Sequence, residues 1–206
     1  MKKKASLIGA IIGVIMFVIV IAGFTYAYYT WKSTKVNTSG TSECFKINYV
    51  NGQDITGTDL APLGEGDFIN GNTIKIVDGM ALATVSIGID SSCNVSGDGK
   101  IMLTPSYISP AFTTGNSSGS VKYKIVEYSS SIYPNVTVDN LINQEFSILN
   151  GGSITSSSSI DLYSMSLYSG VTNEYIIIFY LDEILVTNDA IGATFDGTIS
   201  ATATQR

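Results

Sequence analysis

Histidine is absent from the 206 residues of this chain. That absence removes Ser-His-Asp triads, HExxH zinc sites and most catalytic metal centres. No Gly-Lys-Ser/Thr loop able to cradle a phosphate occurs either. Charge is thin, with Asp, Glu, Lys and Arg making up 14% of the chain. What charge there is leans acidic. The net value is −6, and leaving out Lys2, Lys3 and Lys4 takes it to −9. An acidic surface repels phosphate backbones, which argues against nucleic acid as a partner. No cofactor is implied, and no residue presents itself as catalytic.

Cysteine is scarce, with Cys44 and Cys93 as the only two. Without histidine they have no supporting metal ligand or general base. A disulfide is the expected use, in the part of the chain predicted to lie outside the cell.

What is present is a β-forming composition. Ser, Thr, Gly and Asn abound while Lys and Glu are few, the balance of sheet surfaces and turns. Apolar residues make up 45%, enough for a real core.

The chain opens on Lys2, Lys3 and Lys4, followed by an uncharged apolar run from Leu7 to Phe24. As a helix that run rises roughly 27 Å, most of a hydrocarbon core about 30 Å thick. The lysines mark the cytoplasmic side, so the rest of the chain faces outward. Two outcomes fit. In one the segment is a secretory signal, cleaved after Ala27, with Thr25 two positions earlier and Tyr28 as the new N-terminus. In the other it remains a membrane anchor, with Tyr26, Tyr28, Tyr29 and Trp31 as an interfacial aromatic belt.

Residues 30–43 are polar and read as a tether or extended arm. Strands follow. Phe45 to Val50 alternates and ends at Asn51-Gly52. Thr73 to Val77 is a short strand closed by Asp78-Gly79. In Ala81 to Ile89 the set Ala81, Ala83, Val85, Ile87, Ile89 faces a core. Lys100 to Tyr107 carries Pro105, which predicts an edge or a strand end. Val121 to Tyr128 is a strand, and Asp139 caps one helical turn ending near Gln144. Glu145 to Leu149 is a strand ended by Gly151-Gly152. Ile160 to Leu167 is another. Glu174 to Leu181, EYIIIFYL, is apolar on both faces and predicts a central strand. Asp182 to Gly192 is a polar crossover loop. Ala193 to Thr204 alternates Phe195, Gly197, Ile199, Ala201 and Ala203 with Thr, Ser and Asp.

About nine short strands and no long helix after residue 31 predict an antiparallel sandwich or barrel. Candidate chemistry is sparse. Asp182-Glu183 are sequence neighbours, read as a solvated turn rather than an acid pair. Asp90, Cys93, Asn94, Asp98 and Gly99 could place oxygens around calcium, but they lack EF-hand spacing and match ordinary turns.

The lysine-rich start, the apolar run and Gly23-Phe24-Thr25-Tyr26-Ala27-Tyr28-Tyr29 together resemble the TasA/camelysin family of Gram-positive exported proteins. The C-terminal pattern is similar too: Tyr175 to Asp182, Asn188, then Gly192-x-x-Phe195-x-Gly197-x-Ile199-x-Ala201-x-Ala203-x-Gln205. The resemblance covers about seven residues at the N-terminus and about thirty at the C-terminus; the two cysteines depart from TasA. It implies a SipW-type signal peptidase as a partner, a jelly-roll sandwich, and assembly into extracellular matrix fibres. It further implies that residues 28–37, with Tyr28, Tyr29, Trp31 and Val36, form an arm donated as a strand to a neighbouring subunit. The protease activity described for camelysin is not carried over, since no histidine is present to hold zinc.

The expected organisation is a signal peptide or transmembrane anchor over 1–27, an arm over 28–43 and a sandwich over 44–206. The expected fold is all-β, an antiparallel jelly-roll-like β-sandwich preceded by an N-terminal hydrophobic helix. The expected function is a secreted or cell-surface structural subunit of fibres or biofilm matrix, homo-oligomeric through strand addition and not an enzyme. The alternative is a membrane-anchored surface domain that binds a ligand such as a glycan.

Overall fold

The computed structural model describes residues 31–33, 44–48 and 60–206. The hydrophobic segment expected to be helical lies outside them. Among the described residues, no helix is long and apolar enough to cross a membrane.

The chain is all-β. Its strands are β1 (Trp31–Ser33), β2 (Phe45–Asn48), β3 (Pro62–Leu63), β4 (Ile69–Asn70), β5 (Thr73–Lys75) and β6 (Ala81–Ile89). They continue with β7 (Ser96–Ile108), β8 (Val121–Glu127), β9 (Glu145–Ser153), β10 (Ile160–Tyr168), β11 (Thr172–Asp182) and β12 (Phe195–Gln205). Among the described residues, helical turns occur only as short pieces, at Glu65–Phe68, Pro110–Thr113, Val138–Leu141 and Asn188–Ala190.

Two sheets form. The smaller has the order β1-β12-β7-β10, and the larger the order β2-β6-β11-β8-β9-β5-β4, with β3 beside the end of β11. The long strands pair antiparallel, while the short β1 and β3 run parallel to β12 and β11. The 182–192 segment carries the chain from β11 in one sheet to β12 in the other, the crossover expected from its length and polarity.

Alternation decides which side chains meet. Val85, Ile87, Ile125, Ile177 and Phe179 of the large sheet pack against Ile101, Leu103, Leu162 and Ile199 of the small one. A second core lies on the opposite face of the large sheet. There Leu82, Val126, Ile176, Ile178 and Tyr180 are covered by Phe68, Ile74, Ile76, Met80, Val136, Leu141 and Phe146. This double cover explains the EYIIIFYL run: β11 lies between β6 and β8 and has apolar neighbours on both faces. A central strand cannot spare one face for water when loops are packed over it.

Several expectations require correction. In β6 the set Ala81, Ala83, Val85, Ile87 and Ile89 faces the inter-sheet core as expected, but the alternate residues are buried as well, Leu82 in the second core. Among the described residues the strands number twelve rather than about nine, several of them two or three residues long. Pro105 ends no strand: β7 runs on to Ile108. The β10 partner stops at Leu103, and the β12 register shifts between Gly197↔Pro105 and Asp196↔Tyr107. Proline is tolerated at such a bulge beside a locally unpaired edge.

Gly151 and Gly152 do not end β9, which continues to Ser153. A Cβ on Gly151 would lie 2.8 Å from the Tyr123 carbonyl oxygen and 2.5 Å from Lys124 Cδ, so glycine permits close approach to β8. The helical turn at Val138–Leu141 is capped not by Asp139 but by Thr137, whose hydroxyl accepts from the Asn140 N–H at 3.2 Å.

Candidate functional site

Three features bear on function: a sheet edge, a disulfide and a cluster of ionisable side chains.

β12 is eleven residues long, but β1 pairs with it only over Trp31↔Phe195, Lys32↔Asp196 and Ser33↔Gly197. Among the described residues, β12 from Thr198 to Gln205 has β7 on one side and no strand on the other. Strand pairing with described residues on that side is thus confined to Phe195–Gly197. Of the expected donor arm, Trp31 is seen, in parallel pairing with its own chain; Tyr28, Tyr29 and Val36 lie outside the described residues. So do Thr25 and Ala27 of the expected cleavage site.

Cys44 and Cys93 are joined by a disulfide across a sequence separation of 49, with Cα atoms 5.6 Å apart. Cys44 immediately precedes β2, and Cys93 sits in the turn that follows β6. The bond thus fastens edge strand β2 to β6 beside the Phe45↔Ile89 pair, where the Asp90 N–H also donates to the Cys44 carbonyl at 2.9 Å. Such a bond persists in an oxidising environment.

The residues weighed as calcium ligands are occupied otherwise. Asp90 Oδ1 accepts from the Ser92 N–H at 2.9 Å and the Ser92 hydroxyl at 2.8 Å, a local turn. Asp98 pairs with the Arg206 guanidinium. Among the described residues, no three His, Cys, Asp or Glu side chains gather as metal ligands.

The ionisable cluster was not foreseen. Lys122 on β8 stands directly opposite Tyr180 on β11. Its ammonium lies 2.5 Å from Asp182 Oδ2 and 3.1 Å from Glu65 Oε1. The Tyr180 hydroxyl donates to the same Glu65 oxygen at 2.5 Å. Asp182 Oδ1 accepts from the Ile184 N–H at 3.0 Å. The Tyr180 ring packs edge-on to Phe68, with centroids 5.0 Å apart, so one turn supplies both the carboxylate and an apolar wall.

Asp182 is 5% exposed, which corrects the solvated-turn reading; Glu183 beside it is exposed. Burial pulls the Lys122 pKa down, but Asp182 and Glu65 outweigh it and raise the value above that of an ordinary lysine. Burial pushes Glu65 up, yet the Tyr180 hydroxyl and Lys122 hold it below the ordinary glutamate value. Burial, with Glu65 adding to it, drives the Tyr180 phenol upward. Strand period alone could have placed Lys122 and Val126 on one face. Nothing in the sequence tied Glu65 to a lysine 57 residues later.

A second polar knot involves Asp189. Its Oδ1 accepts from the hydroxyls of Ser117 at 2.5 Å and Thr187 at 2.6 Å, and its Oδ2 from the Asn116 N–H at 2.7 Å. The contacts pin the 114–120 loop to the crossover. On the outer face of the small sheet, a shallow groove of about 420 Å³ is lined by Asp98, Lys100, Met102, Ser164, Thr202 and Thr204.

No protein-family model matches the chain, and no curated protein matches it.

Proposed function

We propose that this chain is a secreted or cell-surface structural subunit that assembles by strand addition, a TasA-like component of extracellular fibres or matrix. The observation that carries the reading is the β12 edge. A strand N-terminal to the sandwich, Trp31–Ser33, pairs in parallel with it over Phe195–Gly197. The same segment can pair with the corresponding edge of a neighbouring subunit through main-chain hydrogen bonds, as strand addition requires. The disulfide supports an extracellular setting, and the absence of histidine supports a non-enzymatic role. The signal peptidase releases Tyr28 onward as the free arm. A ligand-binding role is less favoured, since no aromatic ring lines the groove on the small sheet.

The test is N-terminal sequencing of the exported protein with negative-stain electron microscopy, before and after deletion of residues 28–37. Fibres that start at Tyr28 and vanish on deletion are expected. An uncleaved N-terminus with monomers at all concentrations would refute the reading.

A further inference from the structure

We infer that Lys122 and Asp182 become joined by an intramolecular amide bond, with Glu65 as the proton carrier. The geometry assembles every group that such a condensation needs. Lys122 Nζ lies 2.5 Å from Asp182 Oδ2, and Asp182 is almost fully buried. The other carboxyl oxygen is held by the Ile184 N–H at 3.0 Å, a donor placed to stabilise the charge that develops when nitrogen attacks Cγ. Glu65 Oε1 is 3.1 Å from the same nitrogen and is fixed by the Tyr180 hydroxyl. Lys122 and Asp182 lie on paired neighbouring strands, β8 and β11, so the two reacting groups cannot drift apart. Oriented groups of this kind react as though at effective concentrations of about 10⁵ M or more.

The chemistry balances without an oxidant or cofactor. One proton passes from Nζ to Oδ2 across the 2.5 Å contact, giving a neutral amine and a carboxylic acid; the neutral pair is the minor, reacting form, since the carboxylates around Lys122 favour its charged state. The amine lone pair attacks Cγ and the C–N bond forms. Glu65 takes a proton from the nitrogen and passes it to the departing hydroxyl. The Cγ–O bond breaks and one water leaves. Lysine plus aspartic acid gives an amide plus water.

The product ties the start of β8 to the end of β11, the central strand of the large sheet. That link would hold against reduction, unlike the disulfide at the β2 edge of the sheet, and it stands whether or not the chain assembles.

The test is tandem mass spectrometry of protease digests of the purified, reduced full-length chain. The expected result is a branched peptide joining the Lys122 and Asp182 segments, one water lighter than the two separately. It should be absent from Lys122→Arg and Asp182→Ala. Glu65→Gln keeps both partners and should lose the branch or form it at least tenfold more slowly. Circular dichroism and an intact disulfide would certify that each variant is folded. Two separate, unmodified peptides from the folded wild-type chain would overturn the inference. Full-rate bond formation in Glu65→Gln would overturn the role of Glu65.

Discussion

The Tyr180 hydroxyl donates to Glu65 Oε1 at 2.5 Å, joining the middle of the large sheet to a helical turn 115 residues earlier in the chain. Tyr180 is fully buried, so its hydroxyl has this carboxylate in place of water. Tyr180→Phe removes the donor and leaves Glu65 with less compensation for its burial. The expected loss is about 1.5–3 kcal/mol, the usual range for a hydrogen bond to a charged group. Urea unfolding should show a lower midpoint with an unchanged slope.

Ile177 is wholly buried between the two sheets at the centre of β11. Ile177→Ala deletes three carbons from a site with neighbouring strands on both sides, so collapse into the gap is restricted. A loss of about 2–5 kcal/mol is expected by thermal and denaturant unfolding. A loss below about 1 kcal/mol would mean that the inter-sheet core is looser than described.

The Cys44–Cys93 bond restrains edge strand β2. Reduction, or paired replacement of both cysteines by alanine, should cost about 2–4 kcal/mol by denaturant unfolding. Hydrogen exchange should rise first in residues 45–48, since that strand has β6 as its neighbour and lies at the sheet's end.

Tyr175 is buried against Tyr163, with ring centroids 5.4 Å apart. Burial, then Tyr163 and Glu127, push its phenol well above the ordinary value of 10.0. A raised acid holds its proton longer in the folded chain than in the unfolded one. The stability tied to that proton is intact below pH 10 and is lost as pH rises from there towards the folded value. Tyr175→Phe should therefore flatten the alkaline fall in stability, and a phenolate absorbance titration should show a group that ionises only on unfolding. Equal alkaline slopes in the two proteins would contradict this assignment.

Much of the architecture was legible along the chain. The alternation of β12 placed Phe195, Ile199 and Ala201 inward, and the two-faced apolar run of β11 announced a central strand. These succeed because side-chain direction in a strand follows a local period of two. Gly151, and Pro105 where it was read as a strand end rather than an edge, misled for the complementary reason. Whether a proline or glycine ends a strand depends on the partner across the ladder, here the stop of β10 at Leu103 and the close approach of Tyr123.

By itself the sequence determined the composition limits, the strand periodicity and the exclusion of histidine-based chemistry, all properties of single residues or near neighbours. Only the tertiary structure decided which loops cover the outer face of the large sheet, and that Glu65, Lys122 and Asp182 meet there. That meeting depends on strand order and on the packing of Phe68 against Tyr180. Contacts between groups so far apart in the chain leave no periodic trace, because loop closure and core packing set them, not local backbone preference.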